Sequence, residues 1–484
     1  MAVAEQNGPI SAPQQKESAG WALASLSLAT LLSSLGTSIA SVGLPSLMQT
    51  FGASFQAVQW VVLAYLLAIT TLIVSAGRLA DMVGRRPLLL GGIALFTAAS
   101  VLCGLAPTLW LLIAARAVQG LGAALMMALT LAFVAETVSR DRTGSAMGLL
   151  GAMSAIGTTL GPSLGGLLIA GLGWRAIFLI NVPLGLLTFA LAWRALPARS
   201  NGTHAARGKF DATGTALLAL TLGAYAMAMT LGRGSFGALN IGLLAAAGIG
   251  VILFAIAQTR VKTPLVQLAS FRDLQLSASL VMSLVVATVM MATLVVAPFY
   301  LSRGLGLDAA MVGLVLSTGP LVSTLSALLA GRLADRFGAH RMMVAGLLSL
   351  ATGTLLLSLA MTKLGIASYV VPITVTCFGY ALFQTSNNAA VMSGVGAGER
   401  GVISALLNLS RNLGLITGAS LMGAIFAVAS GQGAADTAIL SPAAAAQGMQ
   451  TTFEAATGMV LAALVLAVLS VRFASRIPST SASQ

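Results

Sequence analysis

The chain has 484 residues, 57% hydrophobic and only 8% charged, with a mean hydropathy of +0.96 and a formal net charge of +13. Soluble globular domains carry about 25% charged residues, so a water-soluble protein is excluded and an integral membrane protein is expected. Aromatic residues make up only 6% and the apolar runs are long, which fits an all-α membrane protein rather than the short alternating strands of a barrel.

A bilayer-crossing helix needs roughly 20 mostly apolar residues. Fourteen such stretches follow one another, near 21–46, 55–76, 87–106, 109–134, 144–171, 175–196, 212–231, 238–258, 276–302, 309–330, 342–361, 366–392, 402–427 and 453–472. The polar segment before the first lacks a signal-peptide pattern, and that stretch is too long for a cleaved signal, so it reads as the first span. An even number of spans puts both termini on one side. Only Arg175, Arg233, Arg303 and Lys363 fall on the opposite side, and Arg116 and Arg411 lie inside spans; the remaining Lys and Arg sit with the termini. This positive-inside bias makes both termini cytoplasmic, in a cell inner membrane. It also explains the net charge without a nucleic-acid partner.

Taken in order, the first span contains Leu35-Gly36-Thr37 and Ser41. The second opens with Gln59-Trp60-Val61-Val62 and Tyr65. It ends in a charged loop, Gly77-Arg78-Leu79-Ala80-Asp81-Met82-Val83-Gly84-Arg85-Arg86. Span four carries Arg116 and, one turn on, Gln119. An arginine at membrane depth costs at least about 2.5 kcal/mol, so it must face a partner or a cavity, and a coupling or substrate-contact role competes with simple bonding to carbonyls. Span five repeats glycine at 157, 161 and 165, a spacing that allows close helix contact, with Pro162 and Gly166 beside it. Span six opens with Trp174-Arg175 and Asn181-Val182-Pro183.

After span ten the charged loop returns as Gly331-Arg332-Leu333-Ala334-Asp335-Arg336-Phe337-Gly338-Ala339-His340, 254 residues after the first. Its first five residues are identical, and Ala339 and His340 replace the paired arginines. Two copies of one loop imply two duplicated bundles, and their places, after spans two and ten, leave two extra spans between six and six. The expected layout is a cytoplasmic tail at 1–20, a six-helix bundle at 21–196, a linker with two extra helices at 197–275, a second bundle at 276–472 and a tail at 473–484. Span twelve carries Tyr380, Gln384, Asn387 and Asn388, whose amides suggest a cavity-lining face. Span thirteen carries the second buried cation, Arg411. The loop 429–450 reads as a mobile surface segment. Cys103 and Cys377 are isolated within spans. No metal cluster, nucleotide loop or nucleophile–base set is legible, so neither enzyme nor cofactor is expected.

These motifs, in this order, resemble the major facilitator superfamily, and within it the fourteen-helix drug:proton antiporter branch, over roughly residues 21–475. The resemblance implies secondary active export of drug-like or metabolite solutes by alternating access, in a monomer with the lipid bilayer and a small-molecule substrate as partners. It implies that the first loop latches the outward-facing state, through Gly77, Arg78, Asp81, Gly84, Arg85 and Arg86, and that Gly331, Arg332, Asp335 and Arg336 do so more weakly. It implies that Gly157, Gly161, Pro162, Gly165 and Gly166 mark an antiporter. On this reading Arg116, Gln119 and Arg411 serve transport or coupling, and Tyr65, Asn181, Tyr380, Gln384, Asn387 and Asn388 line the substrate cavity.

One departure bears on mechanism. Gly36 stands where the family carries an aspartate, and no carboxylate falls in the middle of a span. Proton antiport then rests on the resemblance, with Glu136, Asp308 and Glu454 near span ends as the remaining titratable groups. Dicationic substrates are disfavoured. The alternative is an importer or uncoupled facilitator of neutral or anionic solutes on the same fold.

Overall fold

A computed structural model describes residues 12–137, 143–196, 211–231, 237–261, 273–359, 364–393, 400–431 and 441–474. It contains fourteen helices long and apolar enough to cross a membrane. We number them α1 (Ala12–Val42), α2 (Phe55–Val83), α3 (Arg85–Leu105), α4 (Leu109–Thr137), α5 (Thr143–Leu172), α6 (Asn181–Ala195), α7 (Ala212–Thr230), α8 (Ala238–Arg260), α9 (Leu274–Val295), α10 (Ala309–Phe337), α11 (Ala339–Ser358), α12 (Ala367–Ser393), α13 (Arg400–Thr417) and α14 (Pro442–Ala474). α9 runs on through Ala297–Phe299 into a π-turn at Tyr300–Gly304, and α13 runs on through a π-turn at Gly418–Met422 into Gly423–Ala429. Both tail tips, the linker segment 197–210 and the segment 432–440 lie outside the described residues.

Two boundaries differ from the sequence reading. The first helix stops at Val42, and a separate short helix, Leu44–Phe51, follows with proline in its first turn. The last helix begins at Pro442, so residues 442–450 are helical and not loop. Proline is pre-set for the first helical position and the alanines that follow are the strongest helix formers.

The duplication reaches down to single hydrogen bonds. Ser54 caps α2 by accepting from the Ala57 amide, and Asp308 caps α10 by accepting from the Met311 amide. Gly84 and Gly338, at the same offset in the two loops, both adopt positive φ (99° and 88°), a region glycine enters without steric cost. Helix pairing repeats as well: α1 with α5, α2 with α4 and α3 with α4 recur as α9 with α13, α10 with α12 and α11 with α12.

The two extra helices form a hairpin against α2. Ser75 and Thr215 share a hydrogen bond of 2.6 Å, and Trp60 Nε1 donates to Thr230 (3.1 Å). Within the hairpin, Asp211 caps α7 and accepts from Gln258 Nε2 (2.8 Å). That amide donor offsets the cost of burying the carboxyl group.

Candidate functional site: a cavity between two bundles

Inside the first bundle, Arg116 is fully buried. Its Nε donates to the Val61 carbonyl (2.9 Å), one terminal nitrogen to Gln119 Oε1 (2.6 Å) and the other to the Gly36 carbonyl (3.0 Å). The guanidinium carbon lies 4.0 Å from the Tyr65 ring centroid, and Gln119 passes the network on to Ser100 (2.7 Å). Tyr65 donates to the Ser33 carbonyl (2.9 Å). One arginine on α4 thus ties α1, α2 and α3 together through fixed acceptors. The carbonyl of Gly36 is one of them. A Cβ built on Gly36 would lie 2.9 Å from the Tyr65 hydroxyl and 3.2 Å from the Phe96 ring, so side chains already fill the space that a carboxylate at this position would need.

A cavity of about 220 Å³ lies between the bundles. The first half contributes Ser34, Thr37, Leu66, Ile69, Met127, Ser154 and Thr158. The second contributes Met290, Met291, Thr293, Leu294, Leu316, Gly319, Pro320, Ser323, Tyr369, Ile373, Cys377, Tyr380, Arg411, Asn412 and Leu415. The wall is largely apolar and hydroxyl-bearing, with methionines that adapt to irregular shapes. Among the described residues it holds one cation, Arg411, and no acid. Arg411 Nε is buried without a hydrogen-bond partner among the described residues.

The proposed site residues fall into separate groups. Tyr380 and Arg411 line the cavity. Arg116, Gln119 and Tyr65 form the closed network just described. Asn181 is buried in the first bundle, its amide nitrogen shared between the Ile177 and Phe178 carbonyls (3.3 Å each). Gln384, Asn387 and Asn388 lie farther along α12 and do not line the cavity; Asn387 is buried with both amide atoms unpartnered.

In the loops, the surroundings of Gly77 and the side chains of Arg78 and Asp81 lie outside the described residues. Arg85 is engaged. Arg86 donates to the Trp193 carbonyl at the end of α6 (2.6 Å), with its guanidinium 5.5 Å from that indole. In the second loop Arg332, Asp335 and Arg336 are exposed, and Arg336 lies 5.3 Å from the Phe337 ring. Of the acids near span ends, Asp308 is spent on its cap, Glu454 is exposed and accepts from Gln450 (3.0 Å), and the side chain of Glu136 lies outside the described residues.

The glycine helix divides its contacts. Gly157, Gly161 and Gly165 press on α1, where a Cβ at Gly157 would lie 2.7 Å from the Leu31 carbonyl and one at Gly165 3.0 Å from Ile39. Pro162 and Gly166 face α10 instead. The Cβ of Gly166 would strike the Ala309 carbonyl and lie 2.9 Å from the Gly313 Cα, while that of Gly313 would strike the Pro162 carbonyl. The sequence reading missed the counterpart in the other half. Gly414 and Gly418 press on α9 at Leu284 and Thr288 as Gly157 and Gly161 press on α1, and the shared four-residue spacing was the available signal.

A second seam joins α2 to α13. Gln59, fully buried, donates its amide to the Ala419 carbonyl inside the π-turn and packs on Gly423. Phe55, Phe299 and Phe426 cluster beside it, with ring centroids 4.8, 5.1 and 6.0 Å apart. Both seams lie at the end of the molecule remote from the termini, so the bundles are closed together there.

Two repeated helix bundles around a mid-depth cavity define a membrane transporter. The chain matches the family model described as Major Facilitator Superfamily over residues 26–419 and 280–482, and it belongs to that family. It is 32% identical over 373 residues to multidrug resistance protein Stp of Mycobacterium tuberculosis, covering 76% of this chain and 69% of that protein. It is 29% identical to riboflavin transporter RibZ of Clostridioides difficile (76% and 80% covered) and 29% identical to multidrug efflux pump LfrA of Mycolicibacterium smegmatis (76% and 73%). A bacterial homologue of the lysosomal transporter Spinster shares its fold, with a TM-score of 0.70, 16% identity and coverage of 97% of this chain and 100% of that one.

Proposed function

We propose that this transporter exports small drug-like or metabolite solutes across the cell inner membrane by alternating access, as a monomer with both termini cytoplasmic, in exchange for protons. The carrying observation is the cavity between two repeated bundles whose remote ends are packed shut by the α5–α10 and α2–α13 seams. With the termini cytoplasmic, this is the state that loads from the cytoplasm. Direction is supported by relatives named for efflux and by the glycine helix α5. The loops at 77–86 and 331–340 would then bias the opposite state when the terminal ends close.

A second reading, an uncoupled facilitator, is favoured by Gly36. No carboxylate stands there, and Arg116 is satisfied by carbonyls and an amide. Inside-out membrane vesicles with an acid interior separate the two. Riboflavin or a lipophilic dye should accumulate inside, and a protonophore should abolish the accumulation. Equilibration indifferent to the protonophore establishes the facilitator, and accumulation confined to right-side-out vesicles establishes an importer. In Gly36→Asp, a restored carboxylate beside Arg116 should steepen the dependence of uptake on the pH gradient, provided Tyr65 and Phe96 give way.

A further inference from the structure

We infer that the cavity recognises a monoanionic amphipathic solute, with the anionic group on Arg411 and the apolar body against Met127, Met290, Met291 and Tyr369. This deepens the proposal above and rests on its reading of the cavity as the transport site. The two arginines within the spans differ in kind. Arg116 has its nitrogens engaged by Val61, Gln119 and Gly36, is wholly buried and does not reach the cavity. Arg411 lines the cavity, and among the described residues its Nε has no partner and no acid shares the wall. A guanidinium matches a carboxylate in planar, two-pronged geometry, and an uncompensated charge at membrane depth is costly, so a ligand that brings the countercharge is selected over its neutral or cationic analogue.

Repetition within the fold sharpens the point. Alignment of Gly157 and Gly161 with Gly414 and Gly418 places Ser154 at the position equivalent to Arg411. Both line the cavity, so its charge lies on one wall and the solute is held in one orientation. A single cation sets the charge of the solute at one.

Binding of three ligands sharing one ring, 2-naphthoate, 2-naphthamide and a naphthyl trimethylammonium, is measured by calorimetry on the purified full-length protein. The carboxylate should bind at least tenfold more tightly than the amide, and the ammonium most weakly. Arg411→Gln should erase the carboxylate's advantage while leaving amide binding within about twofold, and Arg411→Lys should keep part of it. Equal affinities in the natural protein, absence of saturable carboxylate binding, or a carboxylate preference that survives Arg411→Gln would overturn the inference. Should Arg411→Gln fail to fold, Arg411→Lys decides alone: a reduced carboxylate preference supports the inference, and an undiminished preference or a ranking with the ammonium first overturns it. Transport in the wrong direction with this ranking intact would remove the export reading alone.

Discussion

The two seams that close the remote end are pseudo-mates, and they are built in opposite ways. α5 against α10 in one corresponds to α13 against α2 in the other. Gly166 and Gly423 occupy equivalent places, but Gly313 and Ala309 of α10 answer to Gln59 and Phe55 of α2. At the first seam backbone meets backbone. At the second the side chains of Gln59, Phe55 and Phe426 stand between the helices. A glycine seam gains tight packing but tolerates no added atom, because a close-packed interior cannot absorb one without shifting its neighbours. A side-chain seam is wider, and each of its contacts can be removed alone. One duplicated scaffold thus carries a rigid closure on one side and an adjustable one on the other.

The largest effect is expected where the first seam is made to resemble the second. Gly313→Gln puts a long side chain against the Pro162 carbonyl and Gly166, leaving no room for α5 and α10 to meet. Transport should fall at least tenfold. A cysteine at the otherwise buried Val312 should become reactive to an impermeant maleimide from the remote side. A silent Gly313→Gln would end the claim that backbone contact closes this seam.

Next in size is Phe426→Ala. Burying a phenylalanine contributes several kcal/mol, and truncation in a well-packed site costs about 3–5 kcal/mol, here at Phe55, Phe299 and Gly448 together. The second seam should loosen while α5–α10 holds, giving a lower melting temperature and partial transport. If Phe426→Ala opened the remote end as fully as Gly313→Gln, the two seams would be equivalent and the comparison would fail.

Much of this architecture is legible in the sequence. Hydropathy gave the fourteen spans, and the repeated loop gave the two bundles, because both are carried by local composition. The network of Arg116 with Gln119 was half legible, since helical spacing brings those two together, whereas Val61 and Gly36 are acceptors through their backbones and leave no mark in residue type. Asn387, Asn388 and Gln384 looked like a cavity face because amides in hydrocarbon need partners, yet the cavity ends at Tyr380 on that helix. The seams were illegible for another reason. Gly313 is one glycine among 53, and only the approach of α5 distinguishes it.

The smallest effect belongs to Gln59→Ala. It removes the hydrogen bond to Ala419 but leaves the aromatic cluster. A typical buried hydrogen bond contributes about 1 kcal/mol net, and the Ala419 carbonyl loses the Gln59 donor. Transport should change only a few-fold, by less than in Phe426→Ala. Because Gln59 stands where α10 has Gly313, adding Gln59→Ala to Gly313→Gln measures whether the seams communicate. Additive losses would mean that each closes independently. A combined loss smaller than the sum would mean that the bundles rock as rigid bodies about one axis, so that opening either seam already releases the other.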